Sequence, residues 1–181
     1  TTDTATGGSI MFIAGSSTTK SSGAILIRTN DAGATGASGA VRFSTGTTSS
    51  GSSGMIALTT GAATSGNGGT FSFMVGSGSV VAGGDFFVKT GDSTTHTGGA
   101  ISLTTGVGTV TTSGHVVVST ANAGASGVSG ALSFSTGAST TDASGQMLLQ
   151  TGPSTNGDAG DFSVTVGRGD SGVGGKLVLS A

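Results

Sequence analysis

The chain contains no cysteine, tryptophan or tyrosine, and Pro153 is its only proline. Glutamate is missing too, so all eight acidic residues are aspartate. Charged residues make up 8% of the 181 positions, and the formal net charge is −2. Each absence removes a class. Without cysteine there is neither a disulfide framework nor a thiolate zinc site. Three lysines and three arginines, spread along the chain, give no basic face for nucleic acid. No apolar run approaches the roughly 20 residues of a membrane-spanning helix, so no span is expected. The lack of glutamate, beside so much glycine, serine and threonine, argues against a helical domain, because those residues are weak helix formers.

What is present is 37 glycines, 31 threonines and 29 serines, more than half the chain. That composition alone also fits a flexible linker. The order of the residues does not. A glycine precedes a short apolar run twelve times: Gly8, Gly23, Gly39, Gly54, Gly69, Gly84, Gly99, Gly114, Gly130, Gly145, Gly160 and Gly175. The spacing is 15, apart from two steps of 16. Typical units read G-A-V-R-F-S-T-G at 39–46 and G-A-L-S-F-S-T-G at 130–137. The second and fourth residues after each glycine are apolar in every unit, as in Val41 with Phe43 or Leu132 with Phe134. The sixth is threonine in eight units.

Apolar residues two apart mean an extended segment with one face turned away from water. A unit of 15 residues is too small to bury such a face by itself, so neighbours must stack. These observations give the expectation of an all-β chain, a parallel β-solenoid of twelve strand-and-loop repeats of about 15 residues. The glycines around each run are expected to supply positive φ for tight turns. The third position after each glycine is mostly polar in odd units, and apolar in even ones: Leu26, Ala57, Phe87, Val117, Leu148 and Val178. Two alternating kinds of strand favour two strands per coil of about 30 residues and a body roughly 29 Å long, against a 15-residue coil of roughly 57 Å. A longer period lies above the short one. Residues 23–46 and 114–137 align without a gap, and the chain is two 91-residue super-repeats short by one residue. The expected organisation is therefore 1–91 and 92–181, six strands each, in one continuous solenoid.

The six even-unit residues, Leu26, Ala57, Phe87, Val117, Leu148 and Val178, are the candidate assembly stripe, because a contiguous exposed apolar stripe marks a protein contact. The chain starts and stops in the repeat frame with no cap. This gives the expectation of a homo-oligomer stacked end to end, or of a continuing tandem array.

Catalysis is not expected. No serine has a base and an orienting group at a recognisable spacing, and nothing selects a pair of carboxylates across a cleft. His96 and His115, the only histidines, make a poor metal site without a carboxylate cluster. Asp158 and Asp161 are close in sequence, but a single pair does not define a calcium site. No metal or other cofactor is expected. Arg168-Gly169-Asp170-Ser171 resembles integrin-binding ligands. The matching loop of the first super-repeat reads Ser77-Gly78-Ser79, so the motif is no feature of the repeat and receptor binding is not expected. The stretch G-S-G-S-V-V from Gly76 lacks the lysine and helix of a phosphate loop.

The repeated S-G-x-hydrophobic-x-hydrophobic-x-T-G pattern resembles that of long Gly/Ser/Thr-rich tandem-repeat proteins of cell surfaces and extracellular fibres. That resemblance implies a structural segment of a filament, appendage or adhesin stalk, at an extracellular or cell-surface location. A second expectation is a binder of a repetitive surface such as ice or polysaccharide. The regular threonines at position six lie in phase with the inward residues, which weighs against ice binding.

Overall fold

The structure is a computed structural model, and it describes residues 7–180. The chain divides into two units, Thr1–Lys89 and Thr90–Ala181. Among the described residues there is no helix and no β-strand. The expectation of an all-β chain coiled as a parallel solenoid is therefore corrected, whether the coil is taken as 15 or 30 residues.

The backbone hydrogen bonds show why. Among the described residues there are seven, Gly23 to Gly15, Gly36 to Gly33 and Gly84 to Gly76 in the first unit, and Gly99 to Gly91, Gly114 to Gly106, Gly127 to Gly124 and Gly175 to Gly167 in the second. In each the first glycine donates its N–H to the carbonyl of the second. None spans more than eight residues. A rung of a solenoid needs bonds between residues one full coil apart, and no such bond forms.

The repeat is nonetheless written into the local structure. Eleven loops separate the twelve runs, and each carries one bend or turn. Bends fall at 18–20, 49–51, 64–66 and 79–81 in the first unit, and at 94–96, 109–111, 140–142, 155–157 and 170–172 in the second. The two loops with an extra residue carry turns instead, at 34–35 and 125–126. Between them the runs are free of bends. In several runs exposure alternates with period two, as extended backbone gives. Phe86, Phe87 and Val88 are 63%, 83% and 57% exposed, and Val116, Val117 and Val118 are 59%, 75% and 58% exposed.

Five of the bonds close a loop at its neck, from the glycine that opens a run back to the glycine that ends the run before. At these necks the residue at position six of one run meets the glycine that opens the next. A Cβ built on Gly84 would stand 2.8 Å from Cγ1 of Val75, and one on Gly175 2.7 Å from Cγ1 of Val166. The Thr29 hydroxyl donates to the Gly39 carbonyl at 3.2 Å, and the Thr90 hydroxyl to that of Gly99 at 3.1 Å. Ala14, Thr29, Thr90 and Thr105, all at position six, are half-buried where nearly everything else is exposed. This corrects the expectation of positive φ. Among the described residues only Gly51 has a left-handed φ, at 105°. Opening glycines such as Gly84, Gly99 and Gly175 are needed for close approach, not for handedness.

The closed necks set the direction of the next run. Val75 meets Gly84, and two residues further in Phe73 meets Phe86, ring centroids 5.7 Å apart and tilted 40°. Stepping back along one run steps forward along the other, so the pair is antiparallel. The two runs confront each other with side chains. Their only backbone bond is the one at the neck.

No hydrophobic or polar side chain among the described residues is fully buried. The accessible surface is 18114 Å², against about 7,600 Å² for a folded monomer of this mass and about 24,000 Å² for its unfolded chain.

Candidate interaction surface

The loops are shaped by short side chains working on their own backbone. Two residues after the glycine that ends a run stands Ser17, Ser93 or Ser139. Each hydroxyl oxygen accepts from the N–H three residues on: Lys20 at 2.9 Å, His96 at 2.9 Å and Asp142 at 3.2 Å. Thr48 holds the same place and accepts from the Ser50 N–H at 3.3 Å. In three other loops that place is taken by Gly78, Gly108 or Gly169, where a Cβ would run into backbone carbonyl oxygens three and four residues on. Seven of the eleven loops are thus of two kinds, one folded around a hydroxyl and one around a bare backbone. The third kind holds the extra residue, with Gly36 bonded to Gly33 at 3.2 Å and Gly127 to Gly124 at 3.4 Å. Sequence reasoning treated the G-S-G-S stretch at Gly76 as background. The recurrence of glycine two residues after the run's end was the signal for the second kind.

Between the runs lie open apolar clefts. In the first unit a cleft of about 590 Å³ is lined by Arg42, Phe43 and Ser44 of one run and Met55, Ile56, Ala57 and Leu58 of the next. In the second, Ser133, Phe134 and Ser135 face Met147 and Leu149 around about 460 Å³. The five residues of the second cleft are the counterparts, at an offset of 91 residues, of Arg42, Phe43, Ser44, Ile56 and Leu58 in the first. Elsewhere in the first unit the space between runs is narrowed by aromatics: Phe71 and Phe73 meet edge-on, centroids 4.5 Å apart at 87°, and Phe73 carries the contact on to Phe86.

All six residues of the candidate stripe, Leu26, Ala57, Phe87, Val117, Leu148 and Val178, are exposed. Their alignment into one stripe was inferred from a coil that does not form. Leu26, Ala57 and Phe87 lie in the first unit and Val117, Leu148 and Val178 in the second, each in its own run. Ala57 also lines the larger cleft.

No group of three His, Cys, Asp or Glu side chains converges among the described residues. The His96 ring shares a hydrogen bond of 2.8 Å between its Nδ1 and the Thr95 hydroxyl, a contact made within its own bend. Arg168 and Asp170 are exposed at the edge of the bend at 170–172. No helix among the described residues is long and apolar enough to cross a membrane.

No protein-family model, curated protein or solved structure matches the chain. The reading of its surface therefore rests on its own chemistry. That chemistry is a repeated set of apolar side chains and backbone amides presented to the outside, flanked by hydroxyl-rich loops.

Proposed function

We propose that the chain is a structural repeat segment of an extracellular filament, appendage or adhesin stalk, and that it works by self-association, end to end or side by side. One observation carries this reading: twelve equivalent apolar runs, and not one buried side chain among the described residues. A large exposed apolar surface marks a contact site, and here it recurs at every repeat. Low charge supports self-association, since at a net charge of −2 copies approach with little repulsion, and what remains is screened within about 8–10 Å at physiological salt. The serine- and threonine-rich loops keep the edges hydrated. The surface location rests on composition and on the resemblance to fibre proteins.

Negative-stain microscopy and light scattering on the purified protein test the proposal. Fibres that appear above a threshold concentration are expected. Dispersed monomers that depress ice growth or adsorb to a polysaccharide would replace it with the surface-binding reading. The threonines at position six argue against an ice-binding array, because Thr29 and Thr90 spend their hydroxyls on neighbouring carbonyls.

A further inference from the structure

We infer that the runs pair through their backbones with the same runs of further copies of this chain, stacked parallel and in register. This rests on the self-associating reading above and specifies its mode. None of the seven backbone hydrogen bonds begins or ends inside a run. In runs such as 100–104 and 115–119 the backbone N–H and C=O groups have no backbone partner among the described residues. Consecutive runs point side chains at each other, as Phe73 and Phe86 show. In an extended segment the peptide groups lie at right angles to the side chains. Each pair of facing runs therefore offers a row of donors and acceptors above itself and another below. Such rows are templates for strand addition.

The identity of the occupant follows from spacing. A strand from another protein would satisfy one run. A second copy satisfies all twelve, because its loops fall at the same places. The two 16-residue steps then act as a register key. A slip by one repeat sets an extra loop residue against a normal loop, and only a shift of 91 residues restores the match, leaving half the runs unpaired. Like residues would stack on like. At positions two and four every column is apolar in all twelve runs, and the charges the runs do carry, Arg28, Arg42, Asp85, Lys89, Asp161 and Lys176, stand at other positions. Each run is a short segment of high β-propensity without proline, the signature of stacked pairing, and Pro153 lies in a loop. The surface available is ample. The chain exposes 18114 Å², roughly 10,000 Å² more than a folded monomer of its mass. A specific interface needs only about 1,200–2,000 Å².

Two measurements on assembled full-length protein test this. Aligned fibres should diffract at about 4.8 Å along the axis and about 10 Å across it. The chain has no cysteine, so Ser102→Cys carries a single spin label. In-register copies bring labels within about 5 Å of each other, and the spectrum collapses to one exchange-narrowed line. Fibres without the axial reflection, or with labels magnetically isolated, would overturn the stacking while leaving the self-associating function standing. A wild-type protein that stays monomeric at all concentrations would remove that function, and the stacking with it. Val117→Pro supplies a third readout. It deletes a donor that has no backbone partner among the described residues, so the monomer should be unchanged, but stacking should be lost or slowed at least tenfold. Ala63→Pro, in a loop, should assemble like wild type. Equal assembly of Val117→Pro and wild type would refute the inference.

Discussion

The loop necks offer the sharpest quantitative test. At Gly84 the space for a side chain is already taken, since a Cβ would lie 2.8 Å from Cγ1 of Val75. Valine is stiff at χ1, so it yields poorly. Gly84→Ala therefore forces the two runs apart at their neck. Overpacking of this kind typically costs about 1–3 kcal/mol. In the unassembled chain, with no core among the described residues, the neck is free to open and the cost should be small. In a fibre the neck is held, so the critical concentration for assembly should rise about 5- to 150-fold, at roughly 1.4 kcal/mol per factor of ten. Sedimentation of fibres, with the residual soluble protein measured, reads that number directly. Two controls isolate the cause. Gly46→Ala should be nearly neutral, because a Cβ there meets nothing within 4 Å. Val75→Ala added to Gly84→Ala removes the obstructing methyl and should recover most of the loss, a coupling that a double-mutant cycle detects. A critical concentration unchanged by Gly84→Ala, or a failure of Val75→Ala to rescue it, would refute the account of the necks.

Other consequences are simpler. Phe87→Asp with Leu148→Asp places charge on two exposed side chains and should leave fibres unbundled in negative stain; unchanged bundles would take the even-unit residues out of the contact. Phe73→Ala removes a ring that touches both Phe71 and Phe86, and loss of about 0.5–1.5 kcal/mol per aromatic pair should raise the critical concentration several-fold or more. Far-UV circular dichroism should show no β signal in dilute protein and a growing one on assembly at constant mass; a full β signal below the critical concentration would mean that pairing forms within the chain. Thr90→Val deletes the hydroxyl that donates to the Gly99 carbonyl while keeping the shape, so it should weaken assembly by less than tenfold, consistent with a single exposed hydrogen bond.

The sequence shows where the runs and loops lie and says less about how they meet. Period-two alternation, visible in Phe86, Phe87 and Val88, reports only that two faces differ. It does not say whether the sheltered face meets the next run, a run one coil away or another molecule. The parallel solenoid was the solution that keeps all contacts inside one chain. The structure instead closes five of the eleven loops at a neck, and at one of them the reversal of the chain is set by contacts such as Val75 against Gly84. The opening glycines were legible as special and misread in kind. In sequence, a glycine needed for positive φ looks the same as one needed because a neighbour's methyl fills its side-chain space. Gly51 is of the first sort and Gly84 of the second. The stripe from Leu26 to Val178 was legible as exposed side chains, but its continuity depended on the stacking direction.

The same lack of internal pairing explains why the repeat is so regular. Ordering a residue costs about 1–2 kcal/mol, and a folded domain offsets this with a core and about one hydrogen bond per residue. Here the described part of the chain has no core and only seven backbone bonds. Under the proposed self-association its recurring conformation draws its stability from outside the chain, and so from concentration, as in any obligate assembly. Under in-register stacking each run adds one more set of ladder bonds at every rung, and equal units add equal increments. Joining two super-repeats in one chain makes the second set of contacts intramolecular to the first, which raises avidity without any new chemistry. A run whose apolar positions fell out of phase would lose its own contribution and strain the loops on both sides. In such an assembly every repeat is under the same constraint, whereas in a globular domain the constraint falls on a few core positions. The proposed assembly thus accounts for positions two and four being apolar in all twelve runs, while the loops between them vary widely and hold Val80, His96, Val110, Asp142 and Pro153 beside serine, threonine and glycine.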